Sequence, residues 1–316
     1  MYFNIEIERP CLKYHLTITE DIRNGMLNDF QKNSLVKVGA YKQLEQKPDH
    51  EILMRYINWV NRFGPLLPVQ VRISNSTLKH PQHKKYKTCI EQIVKRLKDG
   101  NSLKPVLSTR VTKRSYVEDS KSDNADKDLL LNFDGIFHFH LGTKIENNEL
   151  KGDVGDLLFV TTHKQVAYVL GIGTHNDFFT DLWVRVILSE WPEVEIMKRL
   201  NGITGSGFSE SERENLRRSG MGNPIEVDGA LYMSNTLGVT TSGMSILTVE
   251  KTRIFQRQLK NTLLAIPKNI DTIAATILKH RDVLPKTLHL GARVNLGHIE
   301  LIETKHNALF QEFFLR

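Results

Sequence analysis

Three runs between Gly135 and Gly173, "GIFHFHL", "DLLFVTT" and "VAYVLGIG", are dominated by Val, Ile, Leu, Phe and Tyr and separated by polar or glycine breaks. Their length and β-favouring composition predict consecutive antiparallel strands. Elsewhere the period is helical. "DHEILMRYINWVNRF" puts Ile52, Tyr56, Trp59 and Val60 on one face and Arg55 and Arg62 outside, with Gly64 and Pro65 as a stop. "TCIEQIVKRLKDG" turns Ile90, Ile93, Val94 and Leu97 inward and ends on a glycine. "DLWVRVILSEWP" predicts a helix closed by Pro192, and "ILTVEKTRIFQRQLKNTLLAI" a longer one.

The remaining pattern is shorter in range. "FNIEIE" and "KYHLTIT" alternate as two strands of a hairpin, and "PVQVRIS" and "IEVDGALYM" each predict one strand. "NGITGSGFSESERENLRRSGMGNP" reads as glycine and serine clusters around a short polar helix, a connector or lid. The tail from Thr287 predicts one or two strands and a terminal helix. The sum is an α+β fold: a central antiparallel sheet flanked by helices, with additional N- and C-terminal α/β segments. The expected organisation is a basic N-terminal region (1–116), a polar loop (117–128), a central sheet region (129–200) and a C-terminal α/β region (201–316).

Composition narrows the function classes. The 316 residues suffice for a core without metal or disulfides, and the two cysteines, Cys11 and Cys89, form no CxxC pair. The N-terminus has no signal-peptide pattern and no apolar run reaches a membrane span, so a cytoplasmic protein without a membrane partner is expected. The net charge of +7 is concentrated: residues 79–114 hold eleven Lys/Arg against two acids, +9, whereas residues 118–134 hold six acids against two lysines, −4. A basic stretch of this kind suits a nucleic-acid partner and equally a solvated helix face.

The chemistry concentrates on "GIFHFHLG". Strand alternation puts His138 and His140 on one face and Phe137, Phe139 and Leu141 on the other. Three readings follow: an HxH metal site completed by His175, Asp177 or Asp156; an acid–base pair; or strand histidines without a chemical task. His163 falls in a hairpin turn. "LGVTTSGMS" (Leu237–Ser245) lacks the P-loop lysine and is read first as a helix cap and second as a phosphate cradle; Arg217 and Arg218 either bind phosphate or end a helix. No GxSxG or HExxH motif occurs.

The run from Gly135 to Phe179 resembles the terminal sheet of RelE/ParE-like toxins, within the barnase–EndoU–colicin–RelE-like group of small RNases. "INWVNRFGPLLPVQVRIS", "HFHLG" and "VILSEWP" are also similar to segments of bacterial proteins of unassigned activity. The resemblance implies metal-independent RNA cleavage, with no cofactor, by a bacterial toxin-like effector of a toxin–antitoxin or phage-defence system held in check by an inhibitory protein or nucleoprotein partner. His138 and His140 would be the acid–base pair, assisted by His175 and Asp177. Lys79, Lys84, Lys85, Lys87, Arg110, Lys113 and Arg114 would follow the RNA backbone, with Tyr86 and Tyr116 available for stacking. Thr174 and Asn176 stand where that family carries basic residues. The alternatives are a non-catalytic nucleic-acid-binding or assembly subunit and, third, an HxH metal-dependent hydrolase.

Overall fold

A computed structural model describes residues 13–33, 38–65, 67–108, 111, 128–146, 149–152, 155–203, 207–236, 238–240, 244–278, 287–295, 297–305 and 307–315. The fold is α+β. Two compact units divide the chain: residues 1–60, 112–117 and 248–316 form one, and residues 61–111 and 118–247 the other.

In the first unit, β1 (Lys13–Leu16) runs parallel to β11 (Thr287–Asn295), and β12 (His298–Glu303) and β13 (Ala308–Phe314) extend the sheet antiparallel. Helices α1 (Ile18–Asn33), α2 (Val38–Glu45), α3 (Asp49–Val60), α9 (Ile246–Ala265) and α10 (Ile270–Leu278) complete the elements. The core is aromatic: Phe30 lies 5.4 Å from Tyr56 and 4.8 Å from Trp59 between ring centres. The Tyr56 hydroxyl accepts from Gly297 N at 2.8 Å, tying α3 to the turn before β12.

The second unit is built on a sheet ordered β2 (Gln70–Ile73), β7 (Val166–Gly173), β6 (Leu157–His163), β3 (Ile136–His140). The three expected strands are antiparallel neighbours, and β2 adds a parallel edge. The β6–β7 hairpin turns at Lys164 and Gln165, both with positive φ, which matches the twist of the strands. The short helix α4 (Asn75–Leu78) precedes α5 (His83–Asp99), which ends on the left-handed Gly100 and packs Tyr86, Ile90, Ile93 and Leu97 on the face carrying Phe139, Leu141, Leu158 and Val160. The opposite face carries Leu157, Phe159, Tyr168 and Leu170. It is covered by α7 (Leu182–Glu190) and by the antiparallel sheet of β8 (Met197–Arg199), β10 (Ala230–Ser234) and β9 (Ile225–Val227). The strands β4 (Lys144–Glu146) and β5 (Glu149–Lys151) pair between β3 and β6, and α6 (Leu129–Asp134) and α8 (Glu210–Arg218) complete the unit.

Several expectations need correction. Leu16 ends β1, and Thr17 opens α1, its hydroxyl 2.7 Å from Asp21, so "LTIT" does not continue the strand; "FNIEIE" lies outside the described residues. Arg55 and Arg62 are buried rather than outside, Arg55 with its guanidinium on Glu51 one turn earlier at 2.7 Å. "IEVDGALYM" is a hairpin, not one strand, because Asp228 and Gly229 take the two positive-φ positions of a tight turn. The terminal helix is the strand β13, whose pairing with β12 overrides the helical preference of Ala, Leu, Gln and Glu. The polar connector helix α8 carries two buried arginines, Arg213 and Arg217.

Candidate metal centre

Strand alternation does what the sequence implied: Phe137 and Phe139 stack 6.2 Å apart on one face, and His138 and His140 stand 6.0 Å apart on the other. Phe139 and Leu141 anchor the strand completely buried under α5. That anchoring leaves the imidazoles on the face of α7, at the end of the sheet where β7 leaves it.

The third imidazole arrives from β7. After Gly173 the chain makes a 3-10 turn, His175–Phe179, closed by a capping box: Asn176 N donates to Thr174 Oγ1, and Asp177 Oδ2 accepts from Thr174 N at 2.6 Å. Gly171 and Gly173 are required here. A Cβ at Gly171 would stand 2.5 Å from Trp183, and one at Gly173 would stand 2.6 Å from Asp177 Oδ2. Without those side chains Trp183 lies flat on Phe159, 4.1 Å between ring centres, and its Nε1 donates to Asp177 O at 3.1 Å. The turn is thus pinned to the sheet, and His175 faces the other two rings, 6.1 Å from His138 and 5.6 Å from His140.

One ring nitrogen from each of His138, His140 and His175 can be chosen so that all three lie within 4.8 Å of one another. His138 and His140 are half-buried and His175 is exposed, so the cluster has an apolar back and an open front. Phe178 forms part of that back, 4.8 Å from His138 and 5.2 Å from His175 between ring centres. Gly152 closes in on His140: a Cβ there would lie 2.5 Å from His140 Cβ. Asp128 Oδ2 stands 3.8 Å from the buried Nδ1 of His138, while its Oδ1 caps α6 by accepting from Leu131 N at 3.1 Å. That nitrogen makes no hydrogen bond among the described residues.

The other expected site residues are elsewhere or occupied. Asp177 is engaged in the turn's cap. Asp156 accepts from Tyr86 Oη at 2.7 Å and lies 3.7 Å from Lys85 Nζ. Tyr86 is buried against the sheet. Lys84, Lys85 and Lys87 ride on α5, across the sheet from the imidazoles, and Lys87 pairs with Glu91 at 3.9 Å. Lys79 is exposed at the end of α4. Arg110, Lys113, Arg114 and Tyr116 lie outside the described residues. His163 ends β6 at the hairpin. Of the Leu237–Ser245 loop, residues 238–240, 244 and 245 are described: Val239 bridges to Ser245, and Gly238 O accepts from Ile246 N. Cys89 is buried, which pushes its thiol up and away from a nucleophile's range.

Sequence reasoning missed a buried ion pair behind the site. Arg217, 1% exposed, grips the Asp134 carboxylate at 2.7 and 2.9 Å and reaches the Phe178 carbonyl at 3.3 Å. Complete burial pushes the Asp134 carboxyl above the usual carboxylate range, and the guanidinium opposes that shift. Asp134 ends α6 one residue before Gly135 and β3, and Phe178 belongs to the turn of His175. One arginine therefore ties together both elements that carry the imidazoles. Among the described residues no helix is long and apolar enough to cross a membrane. No protein family, no characterised protein and no solved structure matches the chain.

Proposed function

We propose that the protein is a metal-dependent hydrolase whose centre is the three imidazoles of His138, His140 and His175. The observation that carries this reading is their convergence, with ring nitrogens within 4.8 Å of one another. A divalent ion such as Zn²⁺ takes imidazole nitrogens at about 2.0–2.1 Å and, with three protein ligands, keeps a position open for water, whose pKa it lowers to about 7. Asp128, 3.8 Å from His138 Nδ1, is the carboxylate placed to orient that ring once the two draw together, and the exposed side of His175 is the substrate's approach. An ion held by His138, His140 and His175 would supply a hydroxide nucleophile for ester hydrolysis near neutral pH.

Acid–base cleavage of RNA asks for a different spacing. A base and an acid at opposite ends of a phosphoryl group must span that group plus two hydrogen bonds of roughly 2.6–3.2 Å each. The facing nitrogens, which can be chosen within 4.8 Å of one another, suit a shared ion better than that span, although the ring centres themselves stand 6.0, 6.1 and 5.6 Å apart. The toxin-like endoribonuclease keeps one supporting observation, the net charge of +7 with its excess in residues 79–114. The inhibitory partner proposed with it depends on that reading.

The test is metal analysis of the full chain after gel filtration, with wild type compared to the His138→Ala/His140→Ala variant. One equivalent of metal in wild type and none in the variant is expected, as is hydrolysis of a model diester or RNA that chelation abolishes and Zn²⁺ restores. Retention of no metal, or RNA cleavage indifferent to chelators, overturns the metal reading, and the latter favours the acid–base one.

A further inference from the structure

Among the described residues β2 is the edge of its sheet, paired with β7 alone. The two strands run parallel, with Gln70 N donating to Gln165 O and Ser74 N to Val169 O, both at 3.0 Å. A parallel ladder uses the peptide groups of every second residue, so the N–H and C=O of Val71 and Ile73 are directed away from β7, to the open edge. Arg72 turns to the opposite face, 5.9 Å from the Tyr168 ring centre, which leaves the side chains of Val71 and Ile73 on the face of α5.

Beside that edge lies a groove of about 450 Å³. Its apolar floor is Ile73 of β2, Leu78 of α4, and Ile90 and Val94 of α5. Leu78 is 51% exposed, a leucine at the surface with apolar neighbours on one side only. The far wall is a face of α5 carrying Lys87, Lys95 and Lys98. Lys87 and Lys95 lie against Glu91 and Asp99 one turn on, whereas Lys98 has no ion pair among the described residues. Over its length α5 holds six Lys/Arg against two acids, +4.

These features together select an occupant. An open strand edge takes an extended chain through its main-chain groups, and an adjoining apolar floor takes that chain's alternate side chains. The charge selects an acidic chain and rejects a second copy of the same basic face. A nucleic-acid backbone would engage the lysines and leave both the floor and the edge amides unused. We propose that the groove binds an extended acidic segment of a partner protein, which adds to the four-stranded sheet as a further strand beside β2. Its apolar side chains rest on Leu78 and Val94, and its carboxylates meet the lysines of α5. The groove is on the face of the sheet opposite the imidazoles and does not depend on their holding a metal.

The experiment is fluorescence anisotropy of the full chain with labelled heptapeptides of the pattern Asp-Val-Glu-Val-Glu-Val-Asp, with leucine or phenylalanine replacing valine in two further probes. Saturable binding that weakens as salt rises is expected. Leu78→Asp alters an exposed position, so its Tm should match wild type while binding falls by about tenfold or more. Lys95→Glu with Lys98→Glu should weaken binding by about fivefold at low salt and less at high salt. N-methylation of one alternate set of peptide amides should abolish binding, and N-methylation of the other set should leave it intact, because an added strand presents only every second amide to β2. No saturable binding by any of the three peptides, full binding to Leu78→Asp, or equal tolerance of both N-methylated sets overturns the proposal. So does a single-stranded RNA that displaces the peptide and binds Leu78→Asp as tightly as wild type, which would give this face to nucleic acid.

Discussion

Among the described residues two groups of side chains, one in each unit, bring three ligand atoms within 4.8 Å of one another: His138, His140 and His175, and His298, Glu300 and Glu312. Their partners differ. In the second group Glu300 takes Arg293 at 2.7 Å from the neighbouring strand, and the His298 ring, stacked on Phe314, has its Nε2 3.3 Å from Glu312 in a contact whose geometry is not that of a hydrogen bond. Glu300 and Glu312 are direct cross-strand partners, a repulsive pair that Arg293 and His298 relieve. In the first group all three members are imidazoles, and the nearest carboxylate to His138, Asp128, remains beyond hydrogen-bond distance. Proximity of ligand atoms is thus common to both, while the demand for a cation differs. A strand ladder holds one group, and a capped turn, a crowded glycine and a buried ion pair hold the other.

The largest expected effect tests that scaffolding. Asp134→Ala leaves Arg217 buried and unpaired, which costs about 3–5 kcal/mol of stability. Urea unfolding should show the loss, and metal affinity should fall with it because β3 and the His175 turn lose their common anchor. Replacing both partners, Asp134→Leu with Arg217→Met, should recover most of the stability. If the double replacement also recovers full metal affinity, the pair has no positioning role.

His140→Ala is next. It should weaken Zn²⁺ binding by at least about a hundredfold, since even outer-shell partners contribute roughly 10–100-fold. The metal-dependent stabilisation, about 2.7 kcal/mol at a hundredfold excess over Kd, should vanish. His298→Ala should change neither. Equal losses in the two variants, read by equilibrium dialysis, would erase the distinction between the groups.

Asp128→Asn sharpens the comparison at smaller scale. Asparagine caps a helix about as well as aspartate, so α6 should survive. Only the carboxylate facing His138 Nδ1 changes, and a loss of affinity near the lower end of about 10–100-fold is expected. The visible spectrum of the Co²⁺-loaded chain should shift as well. An unchanged spectrum and affinity would make Asp128 a helix cap alone.

What the sequence could reveal follows from the range of the interactions. The facing of His138 and His140 is a property of one strand, and the placement of His175 follows from a strand end, so both were legible in local pattern. The Asp228-Gly229 turn is equally local, a hairpin signal set inside a run whose composition reads as one strand. Gly152 against His140, Arg217 on Asp134 across 83 positions and β1 beside β11 are contacts between distant segments. No period within one segment encodes them. The basic run shows a related limit: charge along the chain does not say which face carries it, and α5 sets Lys85 and Lys87 across the sheet from the imidazoles, beside Asp156 and Glu91.

The smallest effect belongs to the second group. Glu312 is 40% exposed and His298 26%, so their pair is a surface interaction contributing at most about 1 kcal/mol, screened by salt. Glu312→Gln removes the charge opposite Glu300 as well as the partner of His298, and the two changes act in opposite directions. The net shift in the urea midpoint should therefore be small, and smaller still in high salt. Zn²⁺ should not alter it, because this group already has its cations in Arg293 and, when protonated, His298. A Zn²⁺-dependent stabilisation that Glu312→Gln removes would place a second ion on β12 and β13 and end the contrast between a cluster proposed to hold a metal and one whose carboxylates already face Arg293 and His298.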